Sequence, residues 1–138
     1  MSQVFAGQKL IVVGGTSGIG KAIAHLVLKG GGSVVLVGQR SEKLEAAVQD
    51  LQPLGTVVGE RANIANPQER QQLIERLNQH HADATLLVNA AGVFLPKSFL
   101  DHTEADYDLY LDLNKATFFI RETRWRRNFR SEPGRIDW

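Results

Sequence analysis

Gly14-Gly15-Thr16-Ser17-Gly18-Ile19-Gly20 holds the clearest chemistry in this chain. The loop lies between the apolar run Leu10-Ile11-Val12-Val13 and a segment of helical periodicity, the context in which glycine-rich loops bind phosphates. Gly14 can turn the chain off a strand, Gly18 lets a phosphate approach bare backbone, and Gly20 lets the helix lie close to the strand. The helix start would then offer unpaired N–H groups and the positive end of its dipole to an anion. The spacing is Gly-x-x-x-Gly-x-Gly, and no Lys-Ser/Thr pair ends it. A Walker-type triphosphate loop is therefore disfavoured. The bland alternative is a flexible turn joining strand to helix.

Other chemistry finds less support. The chain has no cysteine, which excludes disulfides, thiolate nucleophiles and Cys-ligated metals and fits a cytoplasmic protein. His80-His81 ends a helical segment, where imidazoles answer the helix dipole more readily than they bind metal. Asp101, Asp106, Asp108 and Asp112 gather around a helix start without the spacing of an ion site, so no metal is expected. His25 is expected at a surface or an interface. Residues 121–138 carry six arginines against three acids. That mixture describes a solvated helix face better than a nucleic-acid contact.

Alternating elements must position the loop. Leu10–Val13, Val34–Val37, Thr56–Val58 and Thr85–Val88 read as short buried strands. Between them, Ile19–Lys29 carries Ile19, Ile23, Leu26 and Val27 at helical spacing and stops at Gly30-Gly31-Gly32. Ser41 can cap a second helix bearing Leu44, Ala47, Val48 and Leu51, with Pro53 beyond its end. Asn66-Pro67 opens a third, with Asn as cap and Pro in the first turn, running through Leu73, Ile74 and Leu77. After a loop from Asn89 to Leu100, Thr103 caps a long last helix. There Leu109, Leu113, Ala116 and Ile120 form one apolar stripe, and Phe118, Trp125 and Phe129 a second. Gly134-Arg135-Ile136 reads as the opening of a fifth strand. Uniformly apolar strands alternating with helices predict an α/β fold, a Rossmann-like, doubly wound parallel sheet, incomplete at about four to five strands. With 138 residues and 43% hydrophobic composition, one domain is expected over residues 1–138. No apolar stretch approaches the roughly 18 residues of a membrane helix, and the N-terminus lacks the pattern of a secretory signal.

These motifs together resemble the short-chain dehydrogenases/reductases over nearly the whole chain. Val13-Gly14-Gly15-Thr16-Ser17-Gly18-Ile19-Gly20 is similar to that family's Thr-Gly-x-x-x-Gly-Ile-Gly loop, with Val13 in place of Thr. Asn89-Ala90-Ala91-Gly92 matches its Asn-(Asn/Ala)-Ala-Gly motif, and Asn114 sits at its catalytic Asn. Asn63, in Arg61-Ala62-Asn63-Ile64, stands where the family has an Asp that contacts adenine. The resemblance implies a nicotinamide dinucleotide held by Gly14, Thr16, Ser17, Gly18, Ile19 and Gly20 at the pyrophosphate. Asn63 would meet adenine, Asn89, Ala90 and Gly92 would flank the nicotinamide side, and Asn114 would hold a relay water. The segment Val37-Gly38-Gln39-Arg40-Ser41 has no acid before Glu42 to bind ribose hydroxyls, whereas an Arg can pair with a 2′-phosphate. NADP is the expected cofactor, with Arg40 and Ser41 on the phosphate and NAD as the alternative. Arg40 as a solvated residue opening a helix stays open beside that reading.

The family's acid–base pair is Tyr-x-x-x-Lys, placed after the catalytic Asn and joined by a Ser on the fifth strand. Here Leu111 follows Tyr107 by four residues and Asn114 follows Tyr110 by four, and both tyrosines precede Asn114. Of the four catalytic roles only the Asn is present. The expectation is a polypeptide of the hydride-transferring type, acting between NAD(P)(H) and a carbonyl or alcohol substrate. It would be truncated before its catalytic Ser, Tyr and Lys and inactive by itself. A non-catalytic nucleotide-binding or subunit-association module, or a nonfunctional remnant, is the alternative. The strand Thr85–Val88 would present a free edge, and Phe118, Trp125 and Phe129 an apolar surface, so self-association or a homo-oligomer is expected.

Overall fold

The computed structural model describes residues 3–91 and 97–120, the side chains of 113–120 apart. Four strands, β1 (Lys9–Val13), β2 (Ser33–Gly38), β3 (Val57–Arg61) and β4 (Leu86–Asn89), alternate with four α-helices. These are α1 (Gly18–Lys29), α2 (Ser41–Leu51), α3 (Pro67–His80) and α4 (Glu104–Ile120). All pairings are parallel and the strand order is β3-β2-β1-β4. The chain winds outward from β1 through β2 to β3, then returns to the other side of β1 with β4. The sequence of Gly134-Arg135-Ile136, with Trp125 and Phe129, lies outside the described residues.

Both faces of the sheet are covered, which is why β1 and β2 are apolar at nearly every position. On one face Ile11, Val13, Val35 and Val37 meet Leu73 and Leu77 of α3 with Ala62, Ile64 and Ala84. On the other, Leu10, Val12, Val34 and Leu36 meet Ala24, Val27 and Leu28 of α1 and Leu44, Ala47 and Leu51 of α2. Each fully buried leucine or valine contributes roughly 1.5–3 kcal/mol over its exposed state, so the two layers outweigh any local propensity.

Three features differ from the expectation. The third strand runs to Arg61 rather than ending at Val58. Its register with β2 continues through Gly38 opposite Arg61, but on an exposed sheet edge the apolar signal stops two residues after it starts. Ser41 is the first residue of α2, not its cap. Arg40 takes that position: its carbonyl accepts the Leu44 amide at 2.9 Å, while its guanidinium, a donor only, makes no capping bond. In α1 the buried stripe is Gly20, Ala24, Val27 and Leu28, while Ile19 and Leu26 are exposed. The small residues Gly20 and Ala24 let the helix approach the sheet, which rotates Ile19 outward.

The caps of α3 and α4 follow the sequence. Asn66 Oδ1 accepts from the amides of Gln68 (2.9 Å) and Glu69 (3.1 Å). Thr103 and Asp106 form a reciprocal box, in which Asp106 N donates to Thr103 Oγ1 (3.2 Å) and Thr103 N to Asp106 Oδ2 (2.9 Å). Lys97 adds an ion pair to Asp106 at 2.5 Å. With the lysine first and the Thr103 amide second, Asp106 is held down to a pKa of about 2.

Candidate functional site

In an open α/β sheet, ligands bind beyond the carboxyl ends of the strands, where neighbouring strands lead their chains in opposite directions. Here that place lies between β1 and β4. The glycine loop leaves β1 at Gly14, whose amide donates to the Val37 carbonyl of β2 at 2.9 Å. From β4, the Ala90 amide donates to the Val13 carbonyl at 2.8 Å. The loop after β4 therefore lies directly over the start of the glycine loop. A Cβ built on Gly14 would stand 2.6 Å from the Ala91 nitrogen. One built on Gly20 would collide with the Gly14 carbonyl oxygen and lie 3.1 Å from Ala90 Cβ.

The conformations match the demand for glycine. Gly14 has φ +84° and Gly18 φ +58°, in the left-handed region that L side chains avoid. At Gly14 the added atom meets backbone; at Gly18 it meets nothing within 4 Å. Gly18 thus opens α1 toward free space, with Ser17 as N-cap making no side-chain bond and no acid in the first turn. Bare amides, an unneutralised helix start and open space above it fit a phosphate group. Thr16 closes the other side, its methyl 2.5 Å from the place a Gly38 Cβ would occupy.

The remaining expected residues ring this crevice. Asn89 is exposed at the end of β4, and its Oδ1 accepts the Ala91 amide at 3.1 Å, fixing the turn that covers Gly14. Arg40 and Ser41 are exposed immediately beyond β2. Asn63 follows β3; it is half-buried, its Oδ1 accepting from the Ala65 amide at 3.2 Å. Gly92 lies outside the described residues. Asn114 is on α4, which meets α3, and its side chain lies outside the description as well.

Sequence reasoning missed a network beside Asn63. Arg61 Nη1 lies 2.6 Å from Glu69 Oε1, and Arg61 Nε donates to the Gln39 carbonyl at 3.0 Å. The pair joins a strand end to a helix eight residues on, a separation with no periodic signature.

Sequence reasoning also gave no sign of the burial of His81. As the C-cap of α3 it is buried, with Nε2 3.4 Å from Glu60 Oε1. Burial, helped by the Lys9 ammonium, lowers its pKa below the ordinary 6.5 despite Glu60. Among the described residues no three histidines or acids come together as a metal site, and no helix is long and apolar enough to cross a membrane.

The family model described as short chain dehydrogenase matches residues 8–136. The chain belongs to that family of Rossmann-type, NAD(P)-binding oxidoreductases. The oxidoreductase YvrD of Bacillus subtilis strain 168 is 35% identical over 108 residues, covering 78% of this chain and 41% of its own. The citronellol catabolism dehydrogenase AtuB of Pseudomonas aeruginosa PAO1 superposes with a TM-score of 0.80 at 28% identity, over 92% of this chain and 53% of that one. L-Sorbose reductase of Gluconobacter frateurii, solved with NADPH and L-sorbose, gives a TM-score of 0.75 at 25% identity, over 93% and 48%. The chain spans about half the length of each of these proteins.

Proposed function

We propose that this chain is the dinucleotide-binding part of a short-chain dehydrogenase, residues 1–138 forming one domain that binds NADP in preference to NAD. The observation that carries the reading is the crevice at Gly14–Gly20, roofed by Ala90 and Ala91 and open above Gly18. Amides at Gly18, Ile19 and Gly20, with Thr16 and Ser17, would hold the pyrophosphate. Arg40 and Ser41 would take the 2′-phosphate and Asn63 the adenine. Asn89, Ala90 and Gly92 would flank the nicotinamide, and Asn114 would hold a water. A relative solved with NADPH supports the choice of cofactor.

Bound cofactor supplies hydride at the nicotinamide ring, exchanged with a carbonyl or alcohol carbon. The accompanying proton needs a tuned acid–base group. No tyrosine of these 138 residues is followed four positions later by lysine. By this reading the chain binds and orients the dinucleotide without turning it over. Titration with NADPH and NADH, followed by fluorescence, tests it: saturable binding, tighter for NADPH, is expected. Absence of binding by either would overturn it. Oxidation of NADPH by the purified chain, abolished in Asn114→Ala, would overturn the inactivity.

The same reading makes this a cytoplasmic protein that associates with copies of itself. Among the described residues β4 is a sheet edge whose Leu86, Leu87 and Val88 are only half-buried, whereas the opposite edge, β3, ends in Glu60-Arg61. A monomer by light scattering at high concentration would count against association.

A further inference from the structure

The carboxyl end of β3 carries a charge pair that links two turns of the proposed site. Arg61 closes β3 opposite Gly38 of β2. Its Nε donates to the carbonyl of Gln39, the residue before Arg40, at 3.0 Å. Its Nη1 lies 2.6 Å from Glu69 Oε1, and the same oxygen accepts the Asn63 amide at 3.4 Å. One guanidinium and one carboxylate therefore hold together the turn that bears Arg40 and the turn that bears Asn63. Both stay partly in solvent, with 50% of the Arg61 side chain and 29% of Glu69 exposed. Arg40, the next residue after Gln39, is exposed.

We propose that Arg61 and Glu69 together set how strongly the adenosine end discriminates a 2′-phosphate from a 2′-hydroxyl. The inference rests on the dinucleotide reading above. Arg61 is a second cation on the turn that bears Arg40, and Glu69 masks it. With both charges present, their fields largely cancel and Arg40 alone favours the phosphate. Removing the carboxylate charge leaves two cations to attract it. Removing the guanidinium leaves an acid near the ribose, which repels a 2′-phosphate and can accept from a 2′-hydroxyl. The two substitutions therefore act in opposite directions.

Glu69→Gln keeps the shape and the acceptor oxygen while removing the charge, and Arg61→Gln removes the cation at a half-exposed site. The readout is the ratio of NADPH to NADH affinity, by fluorescence titration of the full chain at low and high salt. Arg61→Gln is expected to lower the ratio, and Glu69→Gln to raise it, each by roughly two- to fivefold, the scale of an exposed charge pair. Both shifts should shrink in high salt, where charges are screened within a few ångströms. A purely structural role would weaken both dinucleotides alike and leave the ratio unmoved. Intact binding with unchanged ratios, or shifts in the same direction, would overturn the proposal while sparing the site. Failure of the unmodified chain to bind either dinucleotide would overturn the site, and this inference with it.

Discussion

Gly14 and Ala91, on loops that leave neighbouring strands, touch so closely that a Cβ on the glycine would lie 2.6 Å from the alanine nitrogen. The phosphate loop and the loop after β4 are thus one fitted surface. Gly14→Ala forces a methyl into backbone at φ +84°, so a loss above about 2 kcal/mol is expected, the range of strain at special backbone positions combined with overpacking. Chemical denaturation measures it directly. A variant as stable as the parent would show that the two loops part easily.

Gly18→Ala should behave differently. Its Cβ meets nothing, so only the left-handed conformation is penalised, by about 1–2 kcal/mol. The methyl would, however, stand in the space left for a phosphate. Dinucleotide affinity is therefore expected to fall at least tenfold, while the denaturation midpoint moves less than in Gly14→Ala. Equal binding by parent and Gly18→Ala would place the pyrophosphate elsewhere.

Asn66 bonds two amides of the first turn of α3. Asn66→Ala should lower stability by about 1 kcal/mol, and Asn66→Ser should recover most of that. Chemical denaturation reads both changes, and an Asn66→Ala variant as stable as the parent would mean that the cap is open in solution.

His81 links stability to mild acid. Its folded pKa lies below the ordinary 6.5, chiefly because burial disfavours the imidazolium. The unfolded chain therefore takes up the proton first. The contribution of the neutral ring is complete above pH 6.5 and is lost as the pH falls through that value toward the lowered one. Melting temperature should drop across this interval in the parent and less in His81→Gln. Matching pH profiles for the two proteins would assign the drop to other groups.

Asp106 acts lower on the scale. Lys97 and the Thr103 amide hold its pKa at about 2 against 3.8 in an unfolded chain. Its contribution to the start of α4 is present above pH 3.8 and lost as the pH falls toward 2. A carboxyl resonance titrating near 2 would bear this out; Asp106→Asn should remove that resonance, and Lys97→Met should move its midpoint up toward 3.8. A midpoint near 3.8 would mean that the box is open in solution.

The sheet was legible in the sequence because its strands are buried on both faces and so are apolar at successive positions, as in Val34–Val37. Asn66-Pro67 and Thr103 marked helix starts because their side chains answer a local need, the bare amides of the first turn. The glycine loop was legible for a related reason: left-handed backbone at Gly14 and Gly18 admits little else. The end of β3 was not legible, since an exposed edge imposes no apolar pattern on Gly59-Glu60-Arg61. Nor was the pairing of Arg61 with Glu69, which depends on where α3 docks. His81 reads in sequence like a polar helix end, and only the fold shows its ring turned inward against Glu60.

The strand order also bears on how the molecule assembles. β1 meets β2 after a connection of about twenty residues, but Leu10 meets Leu86 only after the rest of the described sheet has been threaded. Chain-closure entropy grows with that separation, so the β1–β2–β3 sheet is expected to form before β4 joins it. Ala90 and Ala91 arrive with β4. The nascent chain would then carry its phosphate loop unroofed until the last described strand docks, and amides of β4 should gain protection from hydrogen exchange after those of β1 and β2. A nucleotide present during refolding would find a complete cradle only at that final step.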